Sequence, residues 1–308
     1  MENIVLSKKS NSVFTEESLF IPLNEKDVLH LKRFCGNQNG PVIFMLHGSV
    51  ENGRIFYSKN RKGLAPFLAR QGYDVFVADL RGRGLSTPSI DRNSKFGLTE
   101  CIQEEIPAFL NEIKKIRGDA VQHWIAHSWG GILLLSYYAR QAEHLNVSSM
   151  IFFGTKRRIT VGGVRKFWMI NVFYNHVFRL IVSLKGFVDV KRFGMGSENE
   201  TEKSRRQTYD WVMHEDWKDE DGFDYSAALR NLKLPPMLFI AGRKDEVLGH
   251  RDDVQKLIKE IGSQSAEFYL AAKLNGNLHD YDHVTMLTHP DAPDDQFQYV
   301  NHWLTQHS

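Results

Sequence analysis

Short apolar runs alternate with longer stretches in which apolar residues return every three or four positions, and the rhythm holds along most of the chain. The short runs read as buried strands, being β-branched or aromatic and bounded by turn residues. They are residues 28–34 (VLHLKRF), 41–47 (PVIFMLH), 74–80 (DVFVADL), 122–127 (QHWIAH), 149–154 (SMIFFG), 236–242 (PMLFIAG) and 266–272 (AEFYLAA). The longer stretches, GLAPFLARQ, TECIQEEIPAFLNEIKKIRG, GGILLLSYYARQAEHL, RDDVQKLIKEIG and DDQFQYVNHWLTQ, read as helices. In the second of them Ile102, Ile106, Phe109, Leu110 and Ile113 form a single apolar stripe, the face a helix lays on a sheet. Strand and helix in alternation predict an α/β class, with a mostly parallel sheet covered on both faces.

The rhythm breaks across residues 155–234, which carry helical patterns and no convincing strand. That is too long for a loop. The expectation is one core made of residues 1–154 and 235–308, with 155–234 inserted as a helical cap over the C-terminal edge of the sheet. From 155 to 188 the segment is basic without an acid, whereas ENETEKSRRQTYDWVMHEDWKDEDGFDY is mostly acidic, and GMGSENET reads as a solvated joint. Its apolar stretch 167–184 is interrupted by Asn171, Asn175, His176 and Arg179, short of a spanning helix. A lid packing Phe167, Trp168, Phe173, Tyr174 and Phe178 inward is favoured over peripheral contact with an anionic lipid surface.

Composition narrows the class. At 42% hydrophobic and 25% charged residues, the 308-residue chain is neither disordered nor collagen-like, and α/β domains reach this size as one unit. A net charge of +2, and no recognisable nucleic-acid module, give no support to DNA or RNA binding. Cys35 and Cys101 lie far apart without metal-ligand spacing, so thiols in a reducing compartment are expected rather than a disulfide. The first residues lack the apolar core of a secretory signal, which points to the cytoplasm. No metal, cofactor or protein partner is called for.

Candidate chemistry centres on AHSWG, residues 126–130, placed after a strand and before a helix. A serine there occupies a sharp turn that only small neighbours tolerate, which accounts for Ala126, Gly130 and Gly131 around Ser128. The turn exposes the hydroxyl, and the backbone N–H of Trp129 faces an oxyanion formed beside it. A serine hydroxyl needs a base, and the base an orienting acceptor. Asp245 in FIAGRKDEVLG and His283 in HDYDHVTML each follow a strand, as sites on open α/β sheets do. His279 and His250 compete with His283, and Asp280, Asp282 and Glu246 with Asp245. His283 is preferred because VTML behind it anchors to the core. In FMLHGSVENGR, His47 and Gly48 close a strand, so that the Ser49 N–H becomes a second oxyanion donor. DLRGRG reads as a structural turn in which Asp79 caps amides and Arg81 or Arg83 pairs internally.

Taken in order, LHGS, DLRGRG, AHSWGG, AGRKDEVLG and DYDHVTML resemble the α/β-hydrolase superfamily over residues 28–308. The resemblance implies an eight-stranded, mostly parallel sheet and a cofactor-independent esterase or monoglyceride-lipase-like serine hydrolase working through an acyl-enzyme. Ser128 is then the nucleophile, His283 the base, Asp245 the orienter, and Ser49 and Trp129 the oxyanion donors. Ala126 departs from the commoner glycine. The expected substrate is a small, hydrophobic carboxylic ester. Acyltransferase, thioesterase or aminopeptidase activity uses the same residues, with Glu198, Glu200 and Asp210 available to an amine. A non-catalytic binding protein on the same scaffold is the alternative of another class.

Overall fold

The computed structural model describes residues 6–9, 13–162, 182, 185–194 and 196–308. Its main sheet has nine strands: β1 (Leu6–Lys9), β2 (Thr15–Pro22), β3 (Val28–Cys35), β4 (Val42–Leu46), β5 (Asp74–Asp79), β6 (Gln122–His127), β7 (Val147–Phe153), β10 (Met237–Gly242) and β11 (Ala266–Ala271). Two short strands, β8 (Phe187–Val188) and β9 (Glu200–Thr201), pair apart from it. The main order is β1-β2-β3-β5-β4-β6-β7-β10-β11. The six strands from β5 to β11 in that order run parallel, and β3 is antiparallel to both β2 and β5. Eight of these strands make the expected sheet, and β1 adds a ninth at the edge beside β2.

Every residue of β4, β5 and β10 is buried, because helices cover both faces of a parallel sheet. Side chains alternate between those faces. Val42, Phe44 and Leu46 point to one core with Trp124 and Phe152, under the helices Ile106–Arg117 and Trp129–Gln141. Ile43 and Met45 point to the other with Ile125 and Phe153, under Leu64–Arg70 and Gln296–Gln306. The predicted stripe Ile102, Ile106, Phe109, Leu110 and Ile113 is wholly buried. At full burial each such side chain contributes roughly 1.5–3 kcal/mol.

Between β7 and β10 the described residues hold β8 and β9, which pattern alone did not predict at two residues each, and the helices Glu202–Met213 and Tyr225–Asn231. The first helix is capped by the Thr201 hydroxyl, which accepts from Ser204 N, and the second by Asp224, which accepts from Ala227 N. Trp211, Trp217 and Tyr225 pack ring against ring, and Trp129 meets Trp211 at 6.5 Å between centroids. Arg157, 2% exposed, ties this cluster to the sheet edge. It donates to the carbonyls of Trp211, His214 and Glu215 and pairs with Glu260 at 2.7 Å. Phe167, Trp168, Phe173, Tyr174 and Phe178 lie outside the described residues. No described helix is long and apolar enough to cross a membrane.

Candidate active site

β6 delivers Ser128 to its end at φ 51° and ψ −122°, in the left-handed region that residues with a Cβ resist at a cost of about 1–3 kcal/mol. Surrounding bonds hold it there. Ser128 N donates to the Phe153 carbonyl at 2.7 Å, and its own carbonyl accepts from Thr155 Oγ1 at 2.8 Å and Gly131 N at 3.2 Å. Gly130 has no alternative: a Cβ would lie 2.4 Å from the His47 carbonyl oxygen and 2.5 Å from that of Leu46. The helix therefore starts hard against the end of β4. The first amides of a helix have no partner within it, and that of Trp129 is the first in this one.

The loop after β4 is strained too. Val50 stands at φ 51°, and with Arg61 and Ser128 it is one of three non-glycine residues at positive φ among those described. Two of the three border the same cavity. His47 fixes the loop as a neutral ring: Nδ1–H donates to the Gly48 carbonyl at 2.8 Å, and Nε2 accepts from Leu80 N at 3.1 Å. Burial, the largest influence, pushes its pKa down and keeps it neutral. Asn52 caps the turn Gly53–Ile55, so ENGR opens a short helix as well as lining the cavity through Glu51 and Arg54.

His283 Nδ1–H donates to Asp245 Oδ2 at 2.6 Å, joining two residues 38 apart in sequence. Burial pushes the Asp245 carboxyl up, but the bond and charge of His283 overcome it, and the group sits below the ordinary carboxylate value. For His283, burial is again the largest influence and lowers the pKa; Asp245 raises it, and the charges of His127 and Lys156 lower it further. The net direction is down, so the imidazole is a free base at neutral pH.

The competing residues are engaged elsewhere. His279 Nε2 meets Asp291 at 2.7 Å, and His250 caps the helix Arg251–Ile261. Asp280 accepts from Lys273 N, and Asp282 from Val284 N and Thr285 N. Asp79 accepts from Gly53 N, Leu85 N and His30, while Arg81 pairs with Asp27, Glu104 and Glu105, which makes DLRGRG the structural turn expected.

Ser128, His283, Trp129 and Ser49 line one cavity of about 660 Å³, with Asp245 behind His283. Apolar side chains make most of its wall, including Ile55, Ile159, Val190 and Val212, and Leu248, Met213 and Val284 are exposed at its rim.

Lys156 and His127 escaped the sequence reading as site residues, and Glu51 was read only within ENGR, as a loop beside the oxyanion turn that touches substrate or opens a helix. Lys156, 5% exposed, lines the cavity. His127 and Glu51 form a pair: His127 Nδ1 lies 2.6 Å from Glu51 Oε1, and Nε2 lies 2.9 Å from the His283 carbonyl oxygen. A carboxylate and a carbonyl both accept, so each ring nitrogen carries a hydrogen and His127 is an imidazolium. Burial opposes that charge; the charge and bond of Glu51 overcome it and raise the pKa. Glu51 mirrors this, pushed up by burial and drawn net downward by His127. Glu51 also accepts from Gly48 N, so one ion pair spans the loop after β4, the serine turn and the His283 loop. The signal in sequence was only an acid in HGSVENG and a histidine beside the serine.

Comparison with known proteins agrees with this architecture. The family profile for the alpha/beta hydrolase fold matches residues 41–180. A tear acid lipase-like protein of Mesocricetus auratus is 27% identical over 191 residues, covering 58% of this chain and 46% of that protein. A probable lysophospholipase L2 of Haemophilus influenzae is 29% identical over 115 residues, covering 37% of this chain and 35% of that one. The chain thus spans less than half the length of these curated relatives. Among solved structures, a putative lipase from Sulfolobus solfataricus superposes with a TM-score of 0.64 at 14% identity, over 100% of this chain and 99% of that one. At that identity the likeness is one of fold.

Proposed function

We propose that this chain is a serine hydrolase of the α/β-hydrolase superfamily that cleaves carboxylic esters with its own side chains and no cofactor, a reading supported by the match of the alpha/beta hydrolase fold family over residues 41–180 and by the likeness to lipases. The observation that carries this is the 2.6 Å His283–Asp245 bond beside a serine held at positive φ, with Ser128 and His283 on one cavity wall. Ser128 Oγ attacks the substrate carbonyl carbon while His283 Nε2 takes its proton. Asp245 holds Nδ1–H and stabilises the imidazolium. The amides of Trp129 and Ser49 hold the negative oxygen of the tetrahedral intermediate. Its collapse breaks the ester bond, His283 returns the proton to the leaving alcohol, and water repeats the sequence on the acyl-enzyme.

The apolar wall supports a hydrophobic acyl group. Residues 155–234 act in this reading as the cap above the C-terminal strand ends. Of the acids available to an amine, Glu198 is held by Lys191, Asn52 and Gly84 N, Glu200 lines the cavity but is buried with its pKa raised, chiefly by that burial, and Asp210 is exposed and does not line the cavity. The test is an ester chain-length series with wild type and Ser128→Ala. Loss of about a thousandfold or more in kcat/KM is expected, with the far-UV spectrum kept. An unchanged rate would overturn the proposal.

A further inference from the structure

Lys156 lies three residues beyond the end of β7, in GTKRR, and its two neighbours show what an ordinary basic residue does there. Arg157 gives its two terminal nitrogens to three carbonyls and Glu260, and Arg158 reaches Glu215 at 3.2 Å. Lys156 is nearly as buried as Arg157, yet among the described residues no carboxylate comes within ion-pair reach of Nζ and no acceptor takes a hydrogen bond from it. Its neighbour is the Trp129 ring, 5.6 Å from Nζ to the centroid. An ammonium confined to a mostly apolar cavity without a protein partner is costly, and a cation over an indole recovers only about 0.5–2 kcal/mol.

The charges facing it from the surrounding elements are already committed. Asp245, after β10, is bonded to His283 from the loop after β11. Asp253, on the helix Arg251–Ile261, accepts from Thr160 N at 3.0 Å. Across the cavity Glu51 is spent on His127 and Gly48, and Glu200 accepts from Ser204; Arg54 is a second cation on that wall. Burial, the largest influence, brings the Lys156 pKa down to about 8 against the opposing pull of Asp245 and Asp253, so the side chain is mostly charged at pH 7. A chain that leaves this cation facing an apolar chamber beside Ser128 leaves an oxyanion's place open.

Resting on the ester-hydrolase reading of the same cavity, we propose that Lys156 is a specificity-determining residue that binds an anionic oxygen group of the substrate, a carboxylate or a phosphate, on an otherwise hydrophobic chain. The preferred substrates are acidic esters.

Binding can test this apart from turnover. Calorimetry would compare octanol, octanoate and octyl phosphate on the full chain as wild type, Lys156→Met, Lys156→Gln and Lys156→Arg. At pH 7 at least one anion binds wild type about tenfold or more tightly than octanol, and which of the two does so identifies the carboxylate or phosphate source. The preference falls to within about twofold in Lys156→Met or Lys156→Gln, whichever folds. Lys156→Arg keeps it. Above pH 8 wild type loses the preference as the ammonium deprotonates, while the arginine variant retains it. Octanol binding as tightly as both anions, or a preference that survives removal of the cation, overturns the assignment. Failure of the hydrolase reading would appear differently, as ester turnover that Ser128→Ala does not reduce.

Discussion

His127 and Glu51 give the residue scale its sharpest prediction, because their bond joins three loops and sets the charge next to His283. In Glu51→Gln the imidazolium loses its counter-charge, so His127 is neutral at pH 7 and no longer lowers the His283 pKa. The acidic limb of kcat/KM, which follows deprotonation of His283 and in wild type lies below the ordinary histidine value of about 6.5, then moves to higher pH. Stopped assays across pH 4–8 would read this, and a limb that stayed in place would remove His127 from the account. Asp245→Asn replaces the carboxylate that accepts from Nδ1–H with a neutral amide whose NH2 favours the wrong His283 tautomer, and a loss of about 10³–10⁴ in kcat is expected in steady-state assays. Ser128, His283 and Asp245 were legible in sequence because each sits in a local motif after a strand. Glu51 and His127 were not, since they meet across 76 residues and only the closed sheet makes them neighbours.

At the scale of elements, the join between β6 and the helix Trp129–Gln141 bears the most constraint. Gly130→Ala drives a Cβ into the carbonyls of His47 and Leu46, and backbone rather than a flexible side chain must yield. The expected result is a loss of roughly 2–4 kcal/mol, read as a lower urea midpoint, together with reduced ester turnover. The seven strands that the pattern predicts are present, because each is an apolar run closed by turn residues. β2 was not legible: TEESLFIP opens with four half-buried residues of which none is a strong apolar anchor, and only Leu19 and Ile21 are fully buried. What makes it a strand is β3, paired from Thr15↔Cys35 to Pro22↔Val28.

For the whole molecule, the described segment from Trp211 to Trp217 is docked by hydrogen bonds from Arg157 as well as by aromatic packing. Arg157 holds the ends of the aromatic cluster, and replacing it with alanine leaves the carbonyls of Trp211, His214 and Glu215 without their donor. Limited proteolysis should then cut near residues 211–217 faster than in wild type, with the core fragment intact. Equal cutting rates would show that the aromatic contacts alone suffice. Sequence rhythm could reveal that this stretch departs from the strand–helix alternation, but not that Lys156 would be left without a carboxylate, which depends on where Asp245, Asp253 and Glu51 end up. Shape and charge of the cavity therefore come from the assembled molecule, and its chemistry from short motifs.

Labelling with a fluorophosphonate, followed by peptide mapping, addresses the nucleophile directly. One phosphonyl group per chain on Ser128 in the folded protein is predicted, abolished by Ser128→Ala and strongly slowed by His283→Ala. A folded chain that hydrolyses esters while Ser128 stays unmodified would contradict the account.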